Sequence, residues 1–361
     1  MRLWRKQKIM PKIYQNPSLI RFDAVRRMVL AMIAALLLAS PVMAAGPNCP
    51  PMIKDCGCVI RSSNTFLVMR DLDATATNQT CIEIAASNVN LNTEGRHIFG
   101  KNDGTGTGIK IDAGANRVIV EGTDLEKDTP QSEVSQWNIG IEDDGDRAVI
   151  ARFKAIGGVG LLLEDGGNCH TQPHTPGNSA GGVLLNKVVR SFVGDLNANF
   201  NGSFGVMVQQ SQGVTLANLS GDQNKDTGIK LVSSNNVSIG PGGAECNDAN
   251  GITLISSSHN RIHDSNGNEM NGDTGILLTC ASGDGCPGND GSNENRITNA
   301  GAPRNMNGIE IGQGSGGNII TVTHNEDNSN SNSDMIDLNP NCGTNIWYNN
   351  VGNGNLPCTE R

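Results

Sequence analysis

One step returns along this 361-residue chain at an almost constant interval, and that constrains its fold more than anything else. Aligned on Gly-Ile/Val steps, the chain gives Ile109, Ile139, Val183, Val206, Ile229, Ile252, Ile276, Ile309 and Ile336. From Val183 to Ile276 the intervals are 23, 23, 23 and 24 residues. Longer gaps coincide with Gly/Asn/Pro-rich inserts at 164–181 and 280–292. A fixed period of roughly 20–50 residues means stacked structural units, each covering the apolar face of the next.

The local pattern selects the kind of stack. Each unit holds two short apolar alternations, such as Ile229-Lys230-Leu231 and Val237-Ser238-Ile239. Alternation at period two means strands with one buried face. Gly and Asn fill the joints, where left-handed backbone is needed. No stretch after the leader carries a 3.6-residue apolar period long enough for a core helix. The expectation is an all-β, right-handed, single-stranded parallel β-helix of about ten coils. Asn88, Asn116, Asn236, Asn260, Asn295, Asn318 and Asn345 precede the second alternation, so their amides are expected to stack as a hydrogen-bonded ladder.

Residues 1–44 read as a leader. Arg21, Arg26 and Arg27 precede an apolar run from Met28 to Ala39, and Val42-Met43-Ala44 offers a small-x-small cleavage site. The run of about 12 residues is shorter than the roughly 20 that span a bilayer. The division expected is leader 1–44, Cys-rich N-terminal cap 45–84, β-helix 85–350 and tail 351–361. The leader holds 8 Lys+Arg and 1 Asp+Glu, so 19 basic and 35 acidic residues remain, a net charge of −16. That balance argues against nucleic acid and anionic membrane as partners, and against polyanionic substrates unless cations mediate the contact. All ten cysteines follow the leader; an even number in an exported chain points to disulfides, with Cys280–Cys286 and Cys342–Cys358 as candidate staples. The expected state is a secreted or periplasmic monomer.

The stretch "FLVMRDLDATATNQTCIEIAASNVNLNTEGRHIFG" (Phe66–Gly100), followed by the repeats, resembles the start of many exported microbial right-handed parallel β-helix proteins. The resemblance covers residues 59–350 and is specific for fold. Members of this superfold include pectate lyases, polygalacturonases, alginate epimerases, phage tailspikes and adhesins, so it implies a leaning toward polysaccharide and no one activity. Asp143-Asp144 is the only fragment of the polygalacturonase set. The Asp-Pro-His-Asp string of alginate epimerases has only Gln172-Pro173-His174-Thr175 as a counterpart, and the Trp-Ile-Asp-His string of pectate lyases is missing.

Candidate chemistry is sought on the outward positions of the first strand, which include Lys110, Lys230, Thr253, Leu277, Glu310 and Asp337. Coils rise by about 4.8 Å, so Glu310 and Asp337 are expected side by side, at the roughly 5–5.5 Å a retaining glycosidase needs. Two solvated acids are the competing reading. Lys230 is the candidate proton acceptor, against a plain solvated lysine. On the corner before that strand, Asp222, Asp226, Glu245, Asp248, Glu269 and Asp273 fall at similar places in three coils. Stacked carboxylates repel, and oxygen-ligated calcium relieves the repulsion, so Asp226, Asp248 and Asp273 are candidate ligands for structural calcium. Solvated acids beside Lys225 are the alternative, and no other cofactor is indicated. Cys169, His170 and His174 form a candidate metal cluster, set against a disulfide-tied loop. Aromatic residues are sparse after the leader, which weighs against tight glycan binding and keeps open a non-catalytic surface or matrix protein.

Overall fold

The computed structural model describes residues 46–123, 132–153, 155–156, 177–282, 286, 290–321, 323, 330–352 and 354–355. Every strand pair among them is parallel, and neighbouring strands in a sheet come from successive coils. The fold is a parallel β-helix. The first sheet has twelve described strands, from Cys58–Ile60 to Gly354–Asn355; the second has thirteen, starting at Met52–Ile53. A third sheet of four strands (Leu72–Asp73, His97–Phe99, Glu133–Ser135 and Ala155–Ile156) covers only the N-terminal coils.

Alternation decides what is inside. Ile109, Ile141, Val183, Val206, Ile229, Ile252, Ile276 and Ile309 are Cα partners along the first sheet and are all buried. Burying each such side chain contributes about 1.5–3 kcal/mol. Parallel pairing already includes Cys58–Ile60 with Thr80–Ile84, and Thr65–Val68 with Asn90–Asn92. The Cys-rich segment therefore supplies coils of the helix itself, tied by Cys49–Cys58 and Cys56–Cys81. Cys280–Cys286 closes the later insert as its spacing suggested. Cys246 and Cys342 are also disulfide-bonded. Cys358, the leader and the Cys169–His174 cluster lie outside the described residues.

The alignment of coils differs from the sequence expectation at two places. Ile141, not Ile139, is the partner of Ile109, a slip of two residues. Met335, not Ile336, is the partner of Ile309, a slip of one. A two-residue slip keeps faces but changes neighbours; a one-residue slip exchanges inside for outside.

Amide ladders run inside the corners. Asn260, Asn295, Asn318 and Asn345 form the expected one, each side-chain oxygen accepting from the preceding coil's backbone N–H. Asn88 and Asn236 instead sit in a left-handed corner, with φ of 55° and 54°, and Asn116 bridges Asp146. A longer ladder went unread: Asn178, Asn201, Asn224, Asn247, Asn271 and Asn305, each Nδ2 of the first five donating to the next Oδ1 at 2.9–3.1 Å. Ser211, Ser234, Ser257, Ser292 and Ser315 make a third, in which each of the first four gives its backbone N–H to the next hydroxyl. These ladders satisfy buried corner backbone and fix the coil register.

Candidate functional site

On its outer face the first sheet sets Glu83 beside Lys110 and Lys110 beside Glu142. Lys110 Nζ lies 3.6 Å from Glu142 Oε1 and 3.7 Å from Asp144 Oδ2. Thr107 Oγ1 donates to Glu142 Oε2 at 3.4 Å, and Asn186 Nδ2 to Asp144 Oδ1 at 2.9 Å. Asp112 completes the group. Burial pushes its carboxyl up to about 6, helped by a hydrogen bond with Glu83 and by the Glu83 charge, while Lys110 pulls the other way. Burial works against the Lys110 ammonium, yet Glu142, Asp144 and Asp112 together hold its pKa above the usual lysine value. So one lysine is locked as a cation among four carboxyl groups, and one of these is an acid near neutrality. Such a group can donate a proton from Asp112 and accept one at a carboxylate beside Lys110.

The slip at Ile139 explains why this cluster is not legible from the repeat alignment. Placing Ile139 level with Ile109 puts Gly140 beside Lys110; the true register puts Glu142 there. Asp143, read with Asp144 as one fragment, points the other way. It pairs in register with Ile111 and Leu185 inside the coil, where Gly145 N–H and Ser191 Oγ donate to it.

The other candidates separate. Glu310 is the partner of Ile336, and Asp337 is the partner of Ile311, so Glu310 and Asp337 face opposite sides of the sheet. The expected carboxylate pair does not form. Asp337 is 3% exposed and accepts from Asn339, Asn345 and Trp347 Nε1. Glu310 instead has Asp273 for an acidic neighbour: burial, then the Asp273 charge, raises its pKa, and Asn307 Nδ2 donates to it at 2.8 Å. Lys230 Nζ is paired with Asp226 Oδ2 at 2.7 Å.

Asp226, Asp248 and Asp273 do not share a row. Backbone bonds run from Ala249 to Asp226 and from Asp273 to Ala249, so an alanine separates the two acids, and Asp248 follows Asn224 one position earlier. Among the described residues no three Asp, Glu, His or Cys side chains are spaced to hold a metal ion. The acids that do stack in successive coils are Asp222, Glu245 and Glu269, in the row set by the Ser220–Gly243 and Gly243–Gly267 pairings. There burial pushes Asp222 up to about 6 and, with Asp222 and Glu269 adding, Glu245 to about 7; Arg304 lies 3.6 Å from Glu269 and opposes the rise at Glu245.

No protein-family model matches the chain, and no curated protein matches its sequence. Among solved structures it is similar to the Dettilon tailspike protein, with a TM-score of 0.57 and 16% identity, over 82% of this chain and 62% of that one. It thus spans less than two thirds of that tailspike. The periplasmic alginate epimerase AlgG (TM-score 0.42, 13% identity, 81% and 70% coverage) and the A-module of the Azotobacter vinelandii mannuronan C-5 epimerase AlgE6 (0.37, 12%, 85% and 88%) match more loosely. At such identities the likeness is one of fold, and the fold is the parallel β-helix.

Proposed function

We propose that this is an exported β-helix protein that binds or processes polysaccharide on the outer face of its first sheet, around Lys110. The observation that carries the reading is the Lys110 cluster: a fixed cation, carboxylates at 3.6 and 3.7 Å, and in Asp112 an acid with a pKa of about 6. The resemblance to exported β-helix proteins supplies the leaning toward glycan, and the described disulfides suit an oxidising compartment.

The chemistry favours glycoside hydrolysis over uronate elimination. An acid that keeps its proton to about pH 6 serves as proton donor to a glycosidic oxygen, and Glu142 or Asp144 serves as base or nucleophile. Elimination or epimerisation needs cations to neutralise the substrate carboxylate, and a single lysine already shared by Glu142 and Asp144 is a poor host for one more anion. The substrate class is therefore neutral or amino-sugar polysaccharide.

The test uses the oxidised protein on a panel of neutral, amino-sugar and uronate polysaccharides, following new reducing ends and unsaturated products. Reducing ends that disappear in Glu142→Gln and fall at least a hundredfold in Asp112→Asn are expected. Unsaturated products from a uronate, or turnover that survives both changes, would contradict the assignment. Retention without turnover would make the face a binding surface, and neither would move the protein to the surface or matrix class.

A further inference from the structure

A second constellation stands on the third sheet. Its strands bring His97 level with Glu133, and Phe99 level with Ser135. Glu133 is only 6% exposed although its side chain ends in a carboxyl group. Ser135 Oγ donates to its Oε1 at 2.6 Å, and His97 Nδ1 lies 3.5 Å from its Oε2. A buried carboxyl group is costly unless hydrogen-bonded, and Ser135 and His97 are the polar groups that face it. The His97 backbone N–H donates to Asp71 Oδ1 at 2.9 Å, which anchors the same residue from the preceding coil. With Nδ1 turned to Glu133, Nε2 has no hydrogen-bond partner among the described residues. A carboxylate that sets the tautomer and orientation of an imidazole, leaving the other nitrogen open, is an arrangement suited to engaging a ligand.

Phe99 stands two residues further along the strand, on the same face. Its ring centroid is 5.3 Å from that of His97, tilted by 58°. Phe66, Phe153, Phe200 and Phe204 are buried, whereas Phe99 is half-exposed. Phe192, the other half-exposed one, lies over Gly194. A hydrogen-bonding nitrogen beside a partly exposed aromatic ring suits a sugar, which offers hydroxyls at its rim and C–H groups on its flat side. Glu133, Asp71 and Asp73 around it disfavour an anionic sugar.

We propose that the outer face of the third sheet is a second glycan-contacting site, with Phe99 under a sugar ring, His97 Nε2 hydrogen-bonded to one of its hydroxyls, and Glu133 as the positioning residue. The ligand is a neutral or amino-sugar glycan. The proposal rests on the reading that the chain takes polysaccharide, but it concerns a different face.

Affinity electrophoresis of the full oxidised protein in gels containing β-glucan, xylan, galactomannan or soluble chitosan, with alginate as the anionic control, tests it. His97→Gln and Phe99→Ala should each weaken retention at least tenfold, with Glu142→Gln on the first sheet losing less than either. The retained glycan should slow carbethoxylation of His97 by diethyl pyrocarbonate at least fivefold, which a merely structural histidine would not show. Glu133→Gln should change the rate of that modification even without glycan. Should Glu133→Gln fail to fold, the half-exposed His97 and its Gln variant carry the test alone. Wild-type retention in both His97→Gln and Phe99→Ala would overturn this site while leaving the first-sheet reading intact. Absence of retention of the wild type on every gel would overturn this site, and the first-sheet reading would then rest on the reducing-end assay alone.

Discussion

Asp143 offers a quantitative test of the coil register, because a carboxyl group stands where neighbouring coils have Ile111 and Leu185. It is 0% exposed, and burial pushes its pKa from 3.8 up to about 7, against the lowering pull of Ser191 and the Gly145 N–H. The folded protein therefore keeps a proton on Asp143 that the unfolded chain releases near pH 4. Between those values the native state binds more protons than the unfolded state, so this group's contribution to stability falls as pH rises, and the loss is complete above about 7. Three pKa units correspond to about 4 kcal/mol, an upper limit. Asp143→Asn removes the ionisation while keeping an acceptor for Gly145 N–H and offering Nδ2 to Ser191 Oγ. Urea unfolding of oxidised wild type and variant at pH 4 and pH 8 measures it. The variant should match the wild type within about 1 kcal/mol at pH 4 and exceed it by about 2–4 kcal/mol at pH 8. No gain at pH 8, or an equal gain at both values, would refute the inward placement of this side chain.

Other consequences follow from single side chains. Asn247→Ala leaves Asn224 N–H and Nδ2 without the acceptor they share at 2.9 and 3.1 Å, so it should cost about 2–5 kcal/mol, measured by the urea midpoint. Thr253 is 3% exposed and its Oγ1 has no partner among the described residues. Thr253→Val should thus leave stability unchanged or raise it by about 1 kcal/mol in thermal unfolding; a clear loss would mean the hydroxyl has a partner in solution. If an enzyme, the wild type should lose turnover as pH rises through about 6, where Asp112 gives up its proton, and Asp112→Asn should remove that limb of the pH–rate profile.

Much of the fold was legible because a solenoid writes one rule many times. The 23-residue interval and the period-two alternation together leave only stacked parallel strands. The long Asn ladder was equally legible, since Asn178, Asn201, Asn224 and Asn247 repeat at that same interval. The Gly-Ile steps mark the strands, whereas this ladder lies in the corner before them. Register was harder where the pattern is symmetric. "NIGIEDD" contains two apolar residues of equal parity, Ile139 and Ile141, and "MID" offers Met335 and Ile336 in adjacent places. At the second, Met335 takes the inward place and carries Asp337 inside with it. Asp337 is tolerated inside because Asn339, Asn345 and Trp347 supply donors, and these lie beyond the strand. The Lys110 cluster and the His97–Glu133 pair depend on such registers, across intervals lengthened by inserts, so their residues were visible and their neighbourhoods were not.

Glycan seated on the first sheet at Lys110 would shield the carboxyl groups around that lysine. Carboxyl-group footprinting tests it directly: carbodiimide-driven labelling of the oxidised protein, read by mass spectrometry, with and without a polysaccharide that retains it. Protection of Asp112, Glu142 and Asp144 is expected, with Asp195 on the second sheet labelled at an unchanged rate. Unchanged labelling of all three, or protection that falls on Asp195 instead, would contradict it.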